Sequence, residues 1–239
     1  MPDLPIYIDL LFIATVAATF ILFLKTTYFS KKLIIILISW MAAQAMLAFK
    51  GFYLDSNIFP PRFMFTIIPP IIVMILLFTT KKGRVWIAGL NIKWLTWIHI
   101  VSIPVELVLY LLALHQLIPT LMTFEGRNFD ILSGLSTPFI YYYTLKNNRS
   151  NKKVSLFWNV ICLGLLINIV VLAILSAPSP YQKFGFDQPN RALYYFPFIW
   201  LASVIVPLVL FSHLASIRKL VIEMKPPVPL KGELSNQQL

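Results

Sequence analysis

The chain has 239 residues, of which 59% are hydrophobic and 12% charged, and its formal net charge is +11. A soluble domain carries about 25% charged residues, so this composition, with a mean hydropathy of +0.79, argues against a soluble globule and for a multi-pass membrane protein. The positive charge lies in short connections between apolar runs, which is typical of membrane topology rather than nucleic-acid binding. The single cysteine, Cys162, excludes an intrachain disulfide and a Cys-rich zinc site.

The apolar runs predict an all-α transmembrane bundle. A helix that crosses the hydrocarbon core needs roughly 20 residues, and seven runs approach this length. We place the predicted spans at residues 6–24, 33–49, 63–79, 94–115, 129–145, 154–175 and 194–213. The third contains Pro69 and Pro70, so it is a candidate for a broken or re-entrant span. Residues 1–225 are expected to form one domain, and residues 226–239 a disordered cytoplasmic tail.

The basic residues indicate the orientation of the bundle. Fifteen of the 20 lie on one side, in every second connection and in the C-terminal tail. Since basic residues concentrate on the cytoplasmic side, the pattern predicts seven spans, with the N-terminus outside and the C-terminus inside. The residues on this side are Lys25, Lys31, Lys32, Lys81, Lys82, Arg84, Lys93, Lys146, Arg149, Lys152, Lys153, Arg218, Lys219, Lys225 and Lys231.

Several polar residues fall at one depth inside the predicted spans. With a rise of about 1.5 Å per residue, Gln44, Glu106 and Asn168 share a layer slightly outside the midplane. Polar side chains at this depth usually face the bundle interior and mark functional sites, so we predict a polar pocket in the outer half around Glu106. Helix-to-helix hydrogen bonding is the alternative. Three further residues near this level are Trp200, Ser203 and Thr137.

Prolines occur within four of the predicted spans. Each removes a backbone donor and tends to kink its helix, and the freed carbonyls need partners at membrane depth. Pro104 lies two residues before Glu106, so the surroundings of that acid are expected to be irregular. The others are Pro69, Pro70, Pro138, Pro197 and Pro207.

A charged loop precedes the fifth predicted span. It contains Glu125, Arg127 and Asp130 within six residues. One interpretation joins Arg127 to Arg191 as two arms that hold an anionic headgroup or carboxylate above the pocket. The other is structural: Asn128 or Asp130 caps the helix that follows.

The three histidines do not predict a metal site. His99 and His115 lie on one span, about 24 Å apart by helix rise, so they cannot share an ion. His99 and His213 both lie near the inner face and can meet, but two ligands do not make a zinc site without a nearby acid or cysteine. We therefore expect no metal and no cofactor.

Two stretches carry a family resemblance. Seven spans with the N-terminus outside is also the arrangement of rhodopsins, but the span at 194–213 lacks the lysine that retinal requires. Residues 124–130, with the sequence FEGRNFD, and 186–198, with the sequence FDQPNRALYYFPF, resemble small bacterial inner-membrane proteins that carry no assigned function. The resemblance implies a seven-helix fold in the bacterial cytoplasmic membrane and transfers no catalytic residue.

Three functions fit these observations. The first is a non-enzymatic protein that binds or moves a small amphipathic, lipid-like or anionic ligand reached from the outer side, with Glu106 supplying a proton-coupled charge. The second is a membrane-embedded enzyme acting on lipid or isoprenoid through Glu106, or through His115 with Glu125. The third is an accessory subunit that works through helix contacts. In each case the bilayer is the partner, and nucleic acid is not.

Overall fold

The computed structural model describes residues 4–55, 61–146 and 151–224, and these residues form helices without strands. The predicted tail, residues 226–239, lies outside them. Three short 3₁₀ turns, at Phe52–Leu54, Thr120–Met122 and Ala192–Tyr194, lie in the connections. The described helices are α1 Ile6–Thr26, α2 Lys31–Phe49, α3 Met64–Thr79, α4 Lys81–Ala88, α5 Ile92–Leu114, α6 Ile131–Ile140, α7 Lys152–Ser176 and α8 Leu201–Glu223.

Five of these helices are long and apolar enough to cross a membrane. They are α1, α2, α5, α7 and α8, with 19 to 25 residues each, and they indicate an integral membrane protein. The helix α3 reaches this length only together with α4, to which it is bent by 89°. The helix α6 has 10 residues and continues as the π-helical turn Tyr141–Leu145. The last predicted span is displaced, because Ala192–Tyr194 is a separate turn and α8 continues to Glu223.

The bend between α3 and α4 has a local cause. Thr80 is extended, with ψ of 148°, and its hydroxyl accepts a hydrogen bond from the Gly83 amide at 3.1 Å. This is the N-cap arrangement that starts a new helix. A Cβ on Gly83 would lie 2.3 Å from the Leu77 carbonyl oxygen, so only glycine lets α4 turn back so closely. The connection predicted here as a basic loop is therefore a short helix.

The expected irregularities are present near Pro104 and Pro207, whereas α3 continues through Pro69 and Pro70 and breaks only at Thr80. The residues Ile98–Val101 form a 3₁₀ turn within α5 before Pro104, and Leu201–Ile205 form a π turn before Pro207. Pro207 has no amide hydrogen for the Ser203 carbonyl, four residues earlier. The Trp40 indole donates to that carbonyl oxygen at 2.8 Å. A side chain of α2 thus satisfies a backbone group that the proline leaves free in α8.

Contacts between helix ends define two ends of the bundle. The Asn91 amide donates to the Thr26 carbonyl at 3.0 Å, which joins the start of α5 to the end of α1. Lys152 forms a salt bridge with Glu223 at 3.3 Å, which joins the start of α7 to the end of α8. We call this side, which also holds Lys25 and Lys93, the lysine end. The opposite side holds residues 50–55 and 61–63 and the connections around residues 115–130 and 177–198, and we call it the loop end.

The central core lies where α1, α5, α7 and α8 meet. Large side chains such as Ile8, Phe12, Leu112 and Phe198 are at most 1% exposed. The rings of Phe12 and Phe198 lie 5.1 Å apart. Many isoleucine, leucine, valine and aromatic side chains of α2, α3 and α7 are exposed on the outside, as expected for surfaces that face lipid.

Candidate ligand-binding site

Glu106 lies in the interior, with 1% of its surface exposed. It occupies the half of α5 towards the loop end, 14 residues after Ile92 or about 21 Å by helix rise. The Asn128 side-chain amide donates to Glu106 Oε1 and also, at 3.1 Å, to the Met122 carbonyl. Glu106 Oε2 is buried and has no hydrogen-bond partner among the described residues. One carboxylate oxygen is therefore held in place and the other is open to a ligand.

A second buried carboxylate, Asp130, lies beside Glu106. Its two oxygens accept hydrogen bonds from the hydroxyls of Ser102 at 2.7 Å and Ser133 at 2.9 Å. Its amide donates to Asn128 Oδ1 at 3.1 Å. The α5–α6 contact that allows this is close, since a Cβ on Gly134 would lie 2.7 Å from Ile103 Cγ1. The predicted capping role is thus wrong for Asp130, which makes no side-chain bond to a free amide of α6.

The connection between α5 and α6 folds inwards to place Asn128. Met122 and Asn128 are buried, whereas Glu125 and Arg127 are exposed. A Cβ on Gly126 would lie 2.4 Å from the Leu121 Cα, so the tight return of this loop requires glycine. The sequence suggests that this loop is a charged surface motif. In the structure it also supplies Asn128, the buried hydrogen-bond donor to Glu106.

The Glu106 cavity has a volume of about 170 Å³ and lies between α3, α5, α7 and α8. Its polar side chains are Ser102, Glu106 and Asp130, and nearly all of its remaining wall is aliphatic. An apolar cavity of about 150 Å³ accommodates a molecule the size of benzene. This cavity can therefore hold a small ring or a short segment of hydrocarbon chain, with a carboxylate at one end.

The cavity opens sideways between α3 and α7. Ile71 of α3 and Ile167 and Val171 of α7 line it, and their side chains are exposed on the outside of the bundle. These exposed residues are aliphatic; α7 is long and apolar enough to cross a membrane, and α3 is so only together with α4. In a membrane, aliphatic surfaces of this kind face lipid chains.

A second hollow, the Trp40 cavity, measures about 210 Å³ and lies between α2, α3 and α8. Trp40, Pro70, Leu77 and Phe211 are among its lining residues, and Ser203 is its only polar side chain other than the tryptophans. The Ser203 hydroxyl donates to the Ile199 carbonyl at 2.9 Å. The Ser203 hydroxyl and the Trp40 indole, which both line the Trp40 cavity, thus each have a hydrogen-bond partner within the protein.

The structure separates the three residues that the sequence places in one layer. Gln44 is buried but accepts a hydrogen bond from the Tyr53 hydroxyl at 2.5 Å, and it does not line the Glu106 cavity. Burial raises the pKa of Tyr53 to about 12, so this hydroxyl remains a donor. Asn168 is exposed and donates to the Arg127 carbonyl at 2.7 Å. The expected polar pocket shared by Gln44, Glu106 and Asn168 is therefore not formed.

The other predicted site residues have structural partners. Trp200 donates from its indole to the Met41 carbonyl at 3.0 Å, which joins α8 to α2. The Thr137 hydroxyl donates to the Ser133 carbonyl at 2.7 Å within α6. Arg127 and Arg191 are exposed, and neither lines the Glu106 cavity. His115 and Glu125, the pair considered for an enzyme, are also exposed and line neither cavity.

His99 and His213 meet as the sequence allows. Their rings stack with centroids 3.7 Å apart and planes inclined by 16°, and both are fully buried. Within the described residues, no group of three or more histidine, cysteine, aspartate or glutamate side chains is arranged to hold a metal ion.

Sequence reasoning did not assign three residues to the pocket: Ser102, Asn128 and Asp130. The available signal was their spacing. Ser102 precedes Glu106 by four residues and Asp130 precedes Ser133 by three, so each pair lies on one helical face. The fold of the 115–130 connection, which brings Asn128 to Glu106, has no such signal.

No protein-family model, curated protein or solved structure matches this chain. The function is therefore inferred from the geometry of the site.

Proposed function

We propose that this chain is a seven-pass membrane protein of the bacterial cytoplasmic membrane, with its N-terminus outside and its C-terminus inside. The contacts at the lysine end support this arrangement, because they bring together helix ends whose flanking residues are basic. In this arrangement α3 and α6 complete the passes as shorter helices. A thiol reagent that cannot cross membranes tests it in a Cys162→Ala background: a cysteine at Asp187 is expected to react in intact cells and one at Lys82 is not. The opposite pattern would invert the orientation.

We further propose that the protein binds a small amphipathic molecule in the Glu106 cavity and moves it or releases it to the outer half of the bilayer. The apolar part would enter from the lipid between α3 and α7. The polar head would lie against Glu106. The observation that carries this proposal is the unpartnered Glu106 Oε2, which is buried at the wall of an otherwise apolar cavity.

The chemistry of the cavity selects the head group. Two carboxylates lie together, and their other oxygens already accept hydrogen bonds from Asn128, Ser102 and Ser133. An anionic head would be repelled, whereas a hydrogen-bond donor completes the set. A primary amine suits the site best because it supplies both a donor and a positive charge. The proposal therefore replaces the anionic ligand considered from the sequence with an alkyl amine or a similar donor-headed chain.

Equilibrium binding of tritiated dodecylamine to the full chain in nanodiscs tests this proposal, with empty nanodiscs as the background. We expect saturable binding, with dodecanol weaker and dodecanoate not bound. Glu106→Gln should weaken dodecylamine binding about ten- to a hundredfold, the loss expected for one hydrogen bond to a charged group.

The matched control is Glu125→Gln, the same chemical change at an exposed position. It should leave binding unchanged. Equal binding of dodecylamine to wild type and Glu106→Gln, with both proteins monodisperse, would remove the assignment of this cavity.

A further inference from the structure

Four helix segments each turn a row of polar side chains into the bundle interior. Most residues of each row are spaced by three or four positions, so they lie on one helical face; Ser212 is the exception, since it is adjacent to His213. Every one of these side chains is at most 6% exposed. We call the set the polar seam: Thr96, His99, Ser102 and Glu106 of α5; Asp130, Ser133 and Thr137 at the start of α6 and along it; Ser155 and Asn159 of α7; and Ser212, His213 and Ser216 of α8.

Contacts, together with one helical turn of α5, join the rows into one column. Asn159 Oδ1 lies 3.0 Å from His213 Nδ1, and the His213 ring stacks on His99. His99 is followed one turn later by Ser102, whose hydroxyl binds Asp130. Asp130 binds Asn128 through its amide, and Asn128 binds Glu106. The column therefore runs along α5 from the histidine pair to the Glu106 cavity.

The other end of the column approaches the lysine end. Ser155 is the fourth residue of α7, which begins at Lys152, and Ser216 lies two turns before the end of α8 at Glu223. Lys152 and Glu223 form the salt bridge at that end, with both side chains partly exposed. The polar seam thus extends from near the surface at the lysine end to a buried carboxylate in the other half of the bundle.

Unpartnered polar atoms are concentrated on this seam. In the described residues, eight buried side-chain nitrogen and oxygen atoms have no hydrogen-bond partner, and six of them belong to Ser155, Ser216, His213, His99 and Glu106. Side chains that only join helices would be paired with each other. Buried polar atoms of this kind are generally bridged by ordered water, which would connect the successive groups of the column.

The histidine pair has the form of a proton relay. The Asn159 side-chain amide nitrogen donates to the Ser155 carbonyl at 2.9 Å, which turns Asn159 Oδ1 towards His213. His213 Nδ1 therefore carries the hydrogen, and its Nε2 lone pair is free to accept a proton. Neither ring nitrogen of His99 makes a hydrogen bond of good geometry, although the Leu95 backbone lies close enough to the ring to interact with it. Because two positive rings 3.7 Å apart repel each other, the pair holds one additional proton at a time.

The titratable groups beside the histidine pair come from all four helix segments. The titratable side chains that face the seam are His99 and Glu106 of α5, Asp130 before α6, Cys162 of α7 and His213 of α8. All lysine and arginine side chains of the described residues are at least partly exposed. No buried cation among them competes with a proton on the histidines.

We propose that the polar seam is a proton route between the lysine end and Glu106. A proton is accepted at a free nitrogen of the His99–His213 pair, and one is released from the pair towards Ser102 and Asp130. It then crosses to Glu106 through water in the cavity that both carboxylates line, protonates Glu106 and frees any amine held there, so each transfer exchanges one N–H or O–H bond for another. This inference rests on the proposed function, since it assigns proton coupling to the same carboxylate.

Proteoliposomes that contain the full chain and a trapped pH-sensitive dye test the route. A potassium diffusion potential set with valinomycin drives proton uptake. We expect wild-type vesicles to acidify faster than empty ones, and His99→Phe to reduce this protein-dependent rate at least tenfold. Phenylalanine keeps a ring that stacks on His213 but removes both nitrogens.

His115→Phe is the matched control, because the same change directly after the last residue of α5 affects an exposed histidine outside the seam. It should retain the wild-type rate. Ser102→Ala is a smaller change that breaks the link to Asp130, and it should also lower the rate. A wild-type rate equal to that of empty vesicles, or a wild-type rate in both His99→Phe and Ser102→Ala, would overturn the route.

Dodecylamine binding at constant pH separates this inference from the proposed function. If both are correct, His99→Phe loses proton uptake and keeps amine binding, whereas Glu106→Gln loses both. Proton uptake that depends on His99, without amine binding to the wild type, would support the route and contradict the ligand.

Discussion

The two cavities differ in whether the polar atoms that line them all have hydrogen-bond partners within the protein. The Glu106 cavity and the Trp40 cavity have similar volumes, about 170 and 210 Å³, and both are bounded by α3 and α8. In the Trp40 cavity the Ser203 hydroxyl and carbonyl both have partners within the protein. In the Glu106 cavity one carboxylate oxygen has none. Volume alone therefore does not distinguish a binding site from a gap between helices that lipid chains can fill.

Removing Asn128, the hydrogen-bond donor to Glu106, should cause the largest loss in the free energy of unfolding. Asn128→Leu leaves Glu106 Oε1 and the Met122 carbonyl without their donor and the Asp130 amide without its acceptor. Removing one partner of a buried charged group costs about 3–5 kcal/mol, because the charge is left uncompensated. We expect a loss of this size in the free energy of unfolding, measured by denaturant titration in mixed micelles. Asn168→Leu, at an exposed asparagine with one hydrogen bond, should change it by less than about 1 kcal/mol.

The corresponding change at the Trp40 cavity should be smaller. Trp40→Phe removes the indole donor to the Ser203 carbonyl and leaves a single neutral backbone group unpaired, which costs about 1–3 kcal/mol. Dodecylamine binding should not change. Trp97→Phe keeps the aromatic contact with Tyr141 and serves as its control. A loss for Trp40→Phe equal to that for Asn128→Leu would show that the two cavities are not distinguished by charge.

A pair of glycines tests how closely α6 must approach α5. Gly134→Ala places a methyl group 2.7 Å from Ile103 Cγ1 and 3.1 Å from its amide nitrogen, so α6 must shift away from Ser102. We expect a destabilisation of about 1–2 kcal/mol from overpacking, with lower amine affinity because Asp130 moves with α6. Gly164→Ala meets no atom within 4 Å, and should raise stability by about 0.5–1 kcal/mol through helix propensity. A loss at Gly164 as large as that at Gly134 would contradict a specific role of the α5–α6 contact.

Most helices could be predicted from the sequence because hydropathy is a local property. The helices α1, α2, α5 and α7 begin and end within two residues of the predicted spans. The exceptions involve side-chain and backbone contacts that hydropathy does not contain. Thr80 caps α4 through Gly83, and the turn Ala192–Tyr194 separates the start of the last predicted span from α8.

The candidate site could be predicted only in part. Glu106 was identified correctly as a buried acid, because its depth follows from helix rise. Its expected neighbours Gln44 and Asn168 lie at similar heights, yet one is bonded to Tyr53 and the other is exposed. Height along a helix does not determine the direction in which a side chain points around the axis.

By itself, the sequence determined an all-helical chain with membrane-length apolar segments, the alternation of basic connections, and a single acid deep within α5. The tertiary structure alone decided that Asn128 and Asp130 reach that acid, that His99 stacks on His213, and that, of the two cavities in the described part of the chain compared above, the Glu106 cavity keeps an unpaired oxygen. The physical reason is that lipid constrains the length and composition of each helix separately. The rotation of the helices and the path of their connections depend on packing among all of them.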